Sequence, residues 1–156
     1  GNHLNYTQST NAFSCGTTSG GTDVGGTNAA RVHRTAGDVT TTSTSLVDLT
    51  GASITITTAA NPILIGFSAS CANTGAGNGM IYNVDVDGAV VLGTSGLKSA
   101  ANDANFEEIF AFTMMTAPLT AASHTIKIQW LVTGGTGTTF GGTTIPYNFW
   151  VTEVVD

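Results

Sequence analysis

The chain has 156 residues, a net charge of −6 and only 9% charged residues, well below the roughly 25% usual for globular proteins. Its four basic residues, Arg31, Arg34, Lys98 and Lys127, offer little to neutralise a phosphate backbone, which argues against nucleic acid as a partner. No apolar run approaches the length of a membrane-spanning helix, so no membrane partner is expected.

Thr, Ser, Asn and 20 Gly take the place of the missing charge, a composition suited to exposed strand faces and turns. Residues 1–36 hold only scattered apolar positions, Leu4, Tyr6, Phe13, Val24 and Val32, and Gly16, Gly20-Gly21 and Gly25-Gly26 interrupt any helical pattern. This segment is expected to be an extended N-terminal arm, ordered chiefly by contact with neighbouring chains. Residues 37–156 are expected to form one domain, long enough to bury a core of its own.

Within that domain Ser45 to Leu49 reads as a short strand, and Ile54 and Ile56 alternate with Thr55 and Thr57 in a second. Asn61-Pro62 marks a turn before a third strand, Ile63 to Cys71, and a Gly/Asn loop spans Ala72 to Gly79. Met80 to Asp87 is a fourth strand with Tyr82, Val84 and Val86 in one parity. Asp87-Gly88 is a strong hairpin signal leading into Ala89 to Leu92. Gly93 to Asn105 is a polar connection of a length suited to crossing between sheets.

Phe106 to Met115 places Phe106, Phe110, Phe112 and Met114 in one parity, with further apolar residues in the other. The clearest signal follows. A turn at Pro118 precedes a run in which Ile126, Ile128, Trp130 and Val132 share one face, with Thr125 extending that row, while Lys127 and Gln129 fall on the other. A short Thr138 to Phe140 segment and Ile145 to Val154 complete the set. Tyr147, Phe149 and Val151 share one parity of this last strand, Trp150 and Val154 the other, so cover on both sides is expected, the second from another subunit. The pattern as a whole predicts an all-β chain, a single antiparallel β-sandwich of the jelly-roll type with about eight strands, preceded by the arm.

Reactive chemistry is sparse. Cys15 and Cys71 make one candidate disulfide, closing a loop of about 55 residues and contributing about 3 to 5 kcal/mol on the entropic account; two free thiols with Cys71 buried are the alternative. Asp85 and Asp87 resemble the start of a calcium loop, but no downstream acid completes it. Glu107 and Glu108, adjacent on a strand, point to opposite faces and make a poor acid–base pair. A buried Glu108 would need Lys127, Lys98 or an arginine of the arm as partner. His3, His33 and His124 lack the short spacing of zinc pairs, and Ser123-His124 adjacency does not make a nucleophile and its base. Gly75 to Gly79 matches no dinucleotide fingerprint. No catalytic residue, metal site or cofactor is expected. Trp130, Tyr147, Phe149 and Trp150 are the remaining site candidates, as core and subunit interface or as a sugar-binding platform.

Several stretches together carry a resemblance: Ile54-Thr55-Ile56-Thr57-Thr58, Pro62-Ile63-Leu64-Ile65-Gly66-Phe67-Ser68, Val84-Asp85-Val86-Asp87-Gly88, His124-Thr125-Ile126-Lys127-Ile128-Gln129-Trp130 and Phe149-Trp150-Val151-Thr152-Glu153. Over residues 40–155 the chain resembles the compact jelly-roll domains of tailed-phage virion proteins, which are similar to the trimeric heads of tumour necrosis factor and C1q. It departs from that pattern where Ala122 and Ser123 stand in the turn before His124, a place that often holds Gly. The resemblance implies a non-enzymatic homotrimer at the virion surface. One form is a capsid decoration or cement protein whose residues 1–36 lie across major capsid protein subunits; the alternative is a tail- or head-fibre head that binds a receptor or host-surface glycan.

Overall fold

The computed structural model describes residues 3–7, 12–16, 28–99 and 104–154, with side chains from residue 28 onward. Every helix or strand among them is a β-strand. His3–Thr7 (β1) and Ala12–Gly16 (β2) pair antiparallel with each other. In chain order there follow Ala29–Arg34 (β3), Val39–Thr41 (β4), Val47–Thr57 (β5), Ile63–Asn73 (β6), Met80–Val86 (β7) and Ala89–Val90 (β8). Leu97–Lys98 (β9), Glu108–Met115 (β10), Ser123–Val132 (β11), Gly137–Thr139 (β12) and Tyr147–Glu153 (β13) complete the chain.

The long strands alternate between two antiparallel sheets as the chain proceeds: β6, β10 and β13 in the first, β5, β7 and β11 in the second. That alternation is the jelly-roll wrap expected from the spacing of the strands. In the first sheet β6 is central. β10 flanks it on one side; β13 and, further along, β12 flank it on the other, with β3 beyond β13 and β4 beyond β12. In the second, β11 lies between β5 and β7, and the short β8 and β9 pair with the far side of β7.

Three details depart from the pattern read in the sequence. Residues 29–34, inside the segment expected as arm, form an edge strand, because Ala30 and Val32 reach the core and β13 offers an unpaired flank. The segment expected at Ser45–Leu49 begins only at Val47, and it and Ile54–Thr57 are parts of one strand, β5, joined across a bulge where the register opposite Lys127 and Gln129 shifts. Gly51 sits in that bulge at φ +84°, and a Cβ there would lie 2.8 Å from Arg34 Nη1. Thr125 faces outward, its hydroxyl 3.2 Å from that of Thr55, and His124 instead begins the inward row. The step of two along a strand places residue 124, not 125, with Ile126.

Between the sheets lie Ile63, Ile65 and Phe67 of β6, Met80, Tyr82 and Val84 of β7, Ile126, Ile128 and Trp130 of β11, and Tyr147, Phe149 and Val151 of β13. Tyr82 is the hub. Its ring centroid is 4.6 Å from that of Phe110, 5.4 Å from Phe67 and 6.1 Å from Trp130, within the range of favourable aromatic pairing. Its hydroxyl meets the buried Thr139 hydroxyl of β12 at 2.8 Å, and burial pushes the Tyr82 phenol well above its usual range. Tyr82→Phe leaves the Thr139 hydroxyl without that partner and is expected to cost about 1 to 2 kcal/mol. Urea denaturation of both proteins checks this, with an unchanged denaturant slope showing that the aromatic packing survives.

Candidate functional site

The two-sided apolar pattern of β10 and β13 has its outcome on the outer face of the first sheet. Inward residues Phe110, Phe112 and Met114 pack on the core; their neighbours on β10 find no cover among the described residues. Ile109 is 84% exposed and Met115 58%, with Phe106, just ahead of the strand, at 59%. Exposed single apolar residues are ordinary, but here three fall within ten residues, and Ile109 and Met115 stand at the two ends of the outward row of β10 with Ala111 and Thr113 between them. β10 pairs only with β6 among the described strands, so its other edge presents unpaired backbone groups beside these side chains.

Cross-strand register aligns Thr113, Gly66, Trp150 and Arg31 in one row over this face, and Ala111, Ser68, Asn148 and His33 in the next. Trp150 lies flat over Gly66, where an added Cβ would come within 2.2 Å of the indole Cε2. Only glycine lets the ring lie against the sheet at that point. Two shallow depressions share Trp150 as a wall. One, of about 310 Å³, is lined by Ser68, Ala111 and Thr113; the other, of about 320 Å³, by Ala29, Ala30, Arg31, Val151 and Thr152. The outward positions of β3, β6, β10 and β13 carry Arg31 and His33 and no carboxylate. His33 Nδ1 lies 2.7 Å from Asn148 Oδ1.

Of the four aromatic candidates, Trp130, Tyr147 and Phe149 are at most 1% exposed within a single chain. Having no surface left to bury against a partner, they belong to the core. Tyr147 also donates its hydroxyl to Thr50 O at 2.6 Å, and burial pushes that phenol up to about 12. Trp150 alone of the four reaches the surface. Cys71 is a buried free thiol, which burial pushes up to about 11; the side chain of Cys15, its candidate partner, lies outside the described residues, as does that of His3.

The remaining polar residues are engaged in holding loops. Asp85 accepts from the Gly88 amide at 3.0 Å, and Asp87 accepts from the Thr125 amide at 2.7 Å. Among the described residues no three His, Cys, Asp or Glu side chains group as metal ligands. Glu108 turns toward the core with Oε1 buried, and neither Lys127 nor Lys98 reaches it. Lys127 is instead paired with Asp48 at 2.7 Å, and Gln129 donates to the same carboxylate at 2.9 Å. His124 lies 2.6 Å from Asp87 through Nδ1 and 2.9 Å from Thr120 O through Nε2. No ring nitrogen is left to take a proton from a nucleophile, and Ser123 faces the other way, exposed.

Sequence alone gave no sign of the junction at Glu153. This buried carboxylate accepts from Asn28 Nδ2 with one oxygen, and from the Ala59 amide and Asn61 Nδ2 with the other. It ties the residue that opens β3 to the β5–β6 connection. Burial works to raise its pKa, but the hydrogen bonds from Asn28, Ala59 and Asn61 together outweigh it and hold the carboxyl below its ordinary 4.5.

No family model matches the chain, and no curated protein sequence does. Among solved structures it is similar to that of the infectious bursal disease virus Gx strain, at 16% identity and a TM-score of 0.44 over 82% of this chain. It is also similar to the VP2 subviral particle of infectious bursal disease virus, at 14% identity and a TM-score of 0.43 over 81% of this chain. A third is dimeric latent PorU from Porphyromonas gingivalis, at 9% identity and a TM-score of 0.41 over 82% of this chain. The chain spans 36% and 37% of the two viral chains and 13% of PorU.

Removing the Glu153 carboxylate in Glu153→Ala is expected to cost about 1 to 3 kcal/mol at pH 7, since it strands buried donors. A lowered folded pKa stabilises the fold above the unfolded value and loses that contribution as pH falls through the folded value. The gap between wild type and Glu153→Ala should therefore be full at pH 6 to 7 and narrow below about pH 4.5. Urea midpoints of both proteins between pH 7 and pH 3 read it directly.

Proposed function

We propose that the chain is a non-enzymatic structural protein of a virion, a homotrimeric capsid decoration protein at the particle surface. In this reading the jelly roll stands on the shell and the N-terminal arm binds major capsid protein subunits. The observation that carries it is the uncovered apolar segment Phe106, Ile109 and Met115 on an open edge strand. Such a surface is costly to leave in water, and burying each of these side chains contributes about 1.5 to 3 kcal/mol.

The two flanks of the first sheet differ in shape. β10 offers a protruding apolar edge; the β3 flank offers the depression beside Trp150, lined by Ala29, Ala30 and Val151. A protrusion on one flank and a hollow on the other suit a head-to-tail contact, which closes into a ring when the rotation allows. Three copies also multiply the weak contacts of three arms through effective concentration. The sequence resemblance to phage virion jelly rolls points the same way.

The second reading, a fibre head that binds a host-surface glycan, has one observation in its favour: the indole of Trp150, partly exposed beside Arg31. The two readings compete for the same face, because a ring of copies covers Trp150 and glycan binding requires it open.

Light scattering of the intact chain is expected to give three times the chain mass. Ile109→Arg is expected to weaken association tenfold or more, since one apolar contact is lost and a charge is buried, while leaving the melting temperature of the separated chain unchanged. A monomeric mass at working concentration would end the trimer reading. Cosedimentation with capsids lacking this protein is expected for the intact chain and not for a truncation starting at Asn28, which keeps β3 and the Glu153 junction. Binding of that truncation to host cells instead would favour the fibre head.

A further inference from the structure

We propose that His124 and Asp87 form a pH-operated latch, closed while the imidazole carries both protons, whose opening releases the β10–β11 loop from the end of the sandwich. It goes beyond the assembly role and stands independently of it.

The geometry is decisive because both nitrogens of His124 face oxygen acceptors. Asp87 Oδ2 lies 2.6 Å from Nδ1 and the Thr120 carbonyl lies 2.9 Å from Nε2. A peptide carbonyl has no proton to give and an ionised carboxylate has none either, so both contacts are hydrogen bonds only when the ring is imidazolium. A neutral ring must turn a lone pair toward one of them.

The weaker contact is the one that fails. Asp87 is fixed independently: its amide donates to Thr125 O at 3.0 Å, its Oδ1 accepts from the Thr125 amide at 2.7 Å, and its backbone at φ +53° begins the Asp87-Gly88 turn. It keeps the charge-assisted Nδ1–H bond. Repulsion then falls between Nε2 and Thr120 O. That carbonyl also accepts from Thr58 Oγ1 at 2.7 Å, and the Thr58 amide donates to Ala122 O at 2.9 Å. These few bonds hold residues 120–122 against the end of β5, so the loop is the element that moves. The end of β10 before this loop stays pinned to β6, because the Thr116 amide donates to Ile63 O at 3.0 Å and the Thr116 hydroxyl accepts from the Ile63 amide at 3.1 Å, so the motion is confined to the loop.

Few other charges reach the site. Residues 116–122 and 54–62 contain no titratable side chain. On β7, Asp85 is engaged by the Gly88 amide; on β11, Lys127 points to the opposite face and pairs with Asp48; beyond the β5–β6 connection, Glu153 is satisfied by Asn28, Ala59 and Asn61. The hydrogen bond to Thr120 O, then that to Asp87, raises the His124 pKa above its ordinary 6.5, against the opposing effect of burial. The Thr125 amide, then His124, lowers that of Asp87 below 3.8. A raised folded pKa on His124 means its contribution is complete below about pH 6.5 and lost as pH rises through the folded value. The lowered Asp87 value means its share is lost only as pH falls through that value, in strong acid.

The test is an NMR titration of the full chain from pH 5 to pH 9. His124 ring signals are assigned by their loss in His124→Gln, and amide exchange is followed at Thr58. His124 is expected to titrate above 6.5, with the Thr58 protection factor falling at least tenfold over the same interval. Asp87→Asn, which suits the same positive-φ turn, is expected to shift both midpoints together to lower pH. A His124 midpoint at or below 6.5 overturns the latch. So does Thr58 protection that stays level through the titration, or a step that persists in His124→Gln.

Discussion

The contact between the two sheets at Tyr82 is the constraint on which the rest of this structure depends. A tyrosine at the centre of a sandwich fills a large volume but brings a hydroxyl that must be satisfied. The chain meets that need with Thr139, on a strand of three residues that pairs with the end of β6 and carries β4 on its far side. Short strands that contribute little burial of their own are therefore tied to the centre of the core by one polar contact. Phe67, Phe110 and Trp130 then close around the ring from both sheets, setting which residues of β6, β10 and β11 face inward and, by alternation, which face out.

The chain uses its few charges at the ends of the sandwich. Glu153 joins Asn28 to the β5–β6 connection, and His124 with Asp87 joins the β7–β8 turn to the β10–β11 loop. Both junctions are partly or fully buried and satisfied by several hydrogen bonds, which is the condition under which an ion in a protein interior is tolerated. The Lys127–Asp48 pair on the exposed face of the second sheet is of another kind, screened by solvent and of little consequence for stability. A chain with so little charge also relies on neutral amide contacts in its interior, and the fully buried Asn83 is an example. Its amide donates to Gly93 O at 2.6 Å while its oxygen accepts from the Val84 and Leu92 amides, anchoring the segment after β8.

Period-two alternation made most of this fold legible in the sequence. The inward row Ile126, Ile128, Trp130 and Val132 and the Asp87-Gly88 hairpin stand where the pattern puts them. What the pattern missed has physical reasons. β3 is short and its inward residues, Ala30 and Val32, are small, so its strand character comes from the edge that β13 offers rather than from its own alternation. The bulge in β5 breaks the period at Gly51, which makes one strand read as two. For the aromatic site candidates, parity separates Tyr147 and Phe149 from Trp150, but parity alone does not say which side is the core. The junctions at Glu153 and His124 join residues far apart in sequence, and no local signal announces them.

The edges of the first sheet also differ in how they are protected, and that difference bears on how the molecule meets others. Natural sheets guard exposed edges with charges, bulges or shortness. The β3 edge carries Arg31 and His33 on its outward positions, the β5 edge of the second sheet carries Asp48 and a bulge, and β8 is only two residues long. Over its eight residues β10 has no Lys, no Pro and no bulge, and its one such device is the acid Glu108, turned inward at its start. An edge so lightly guarded, with Ile109 and Met115 on its strand, is open to pairing in solution. In the proposed assembly a partner would occupy it and supply the protection that the sequence of β10 largely lacks.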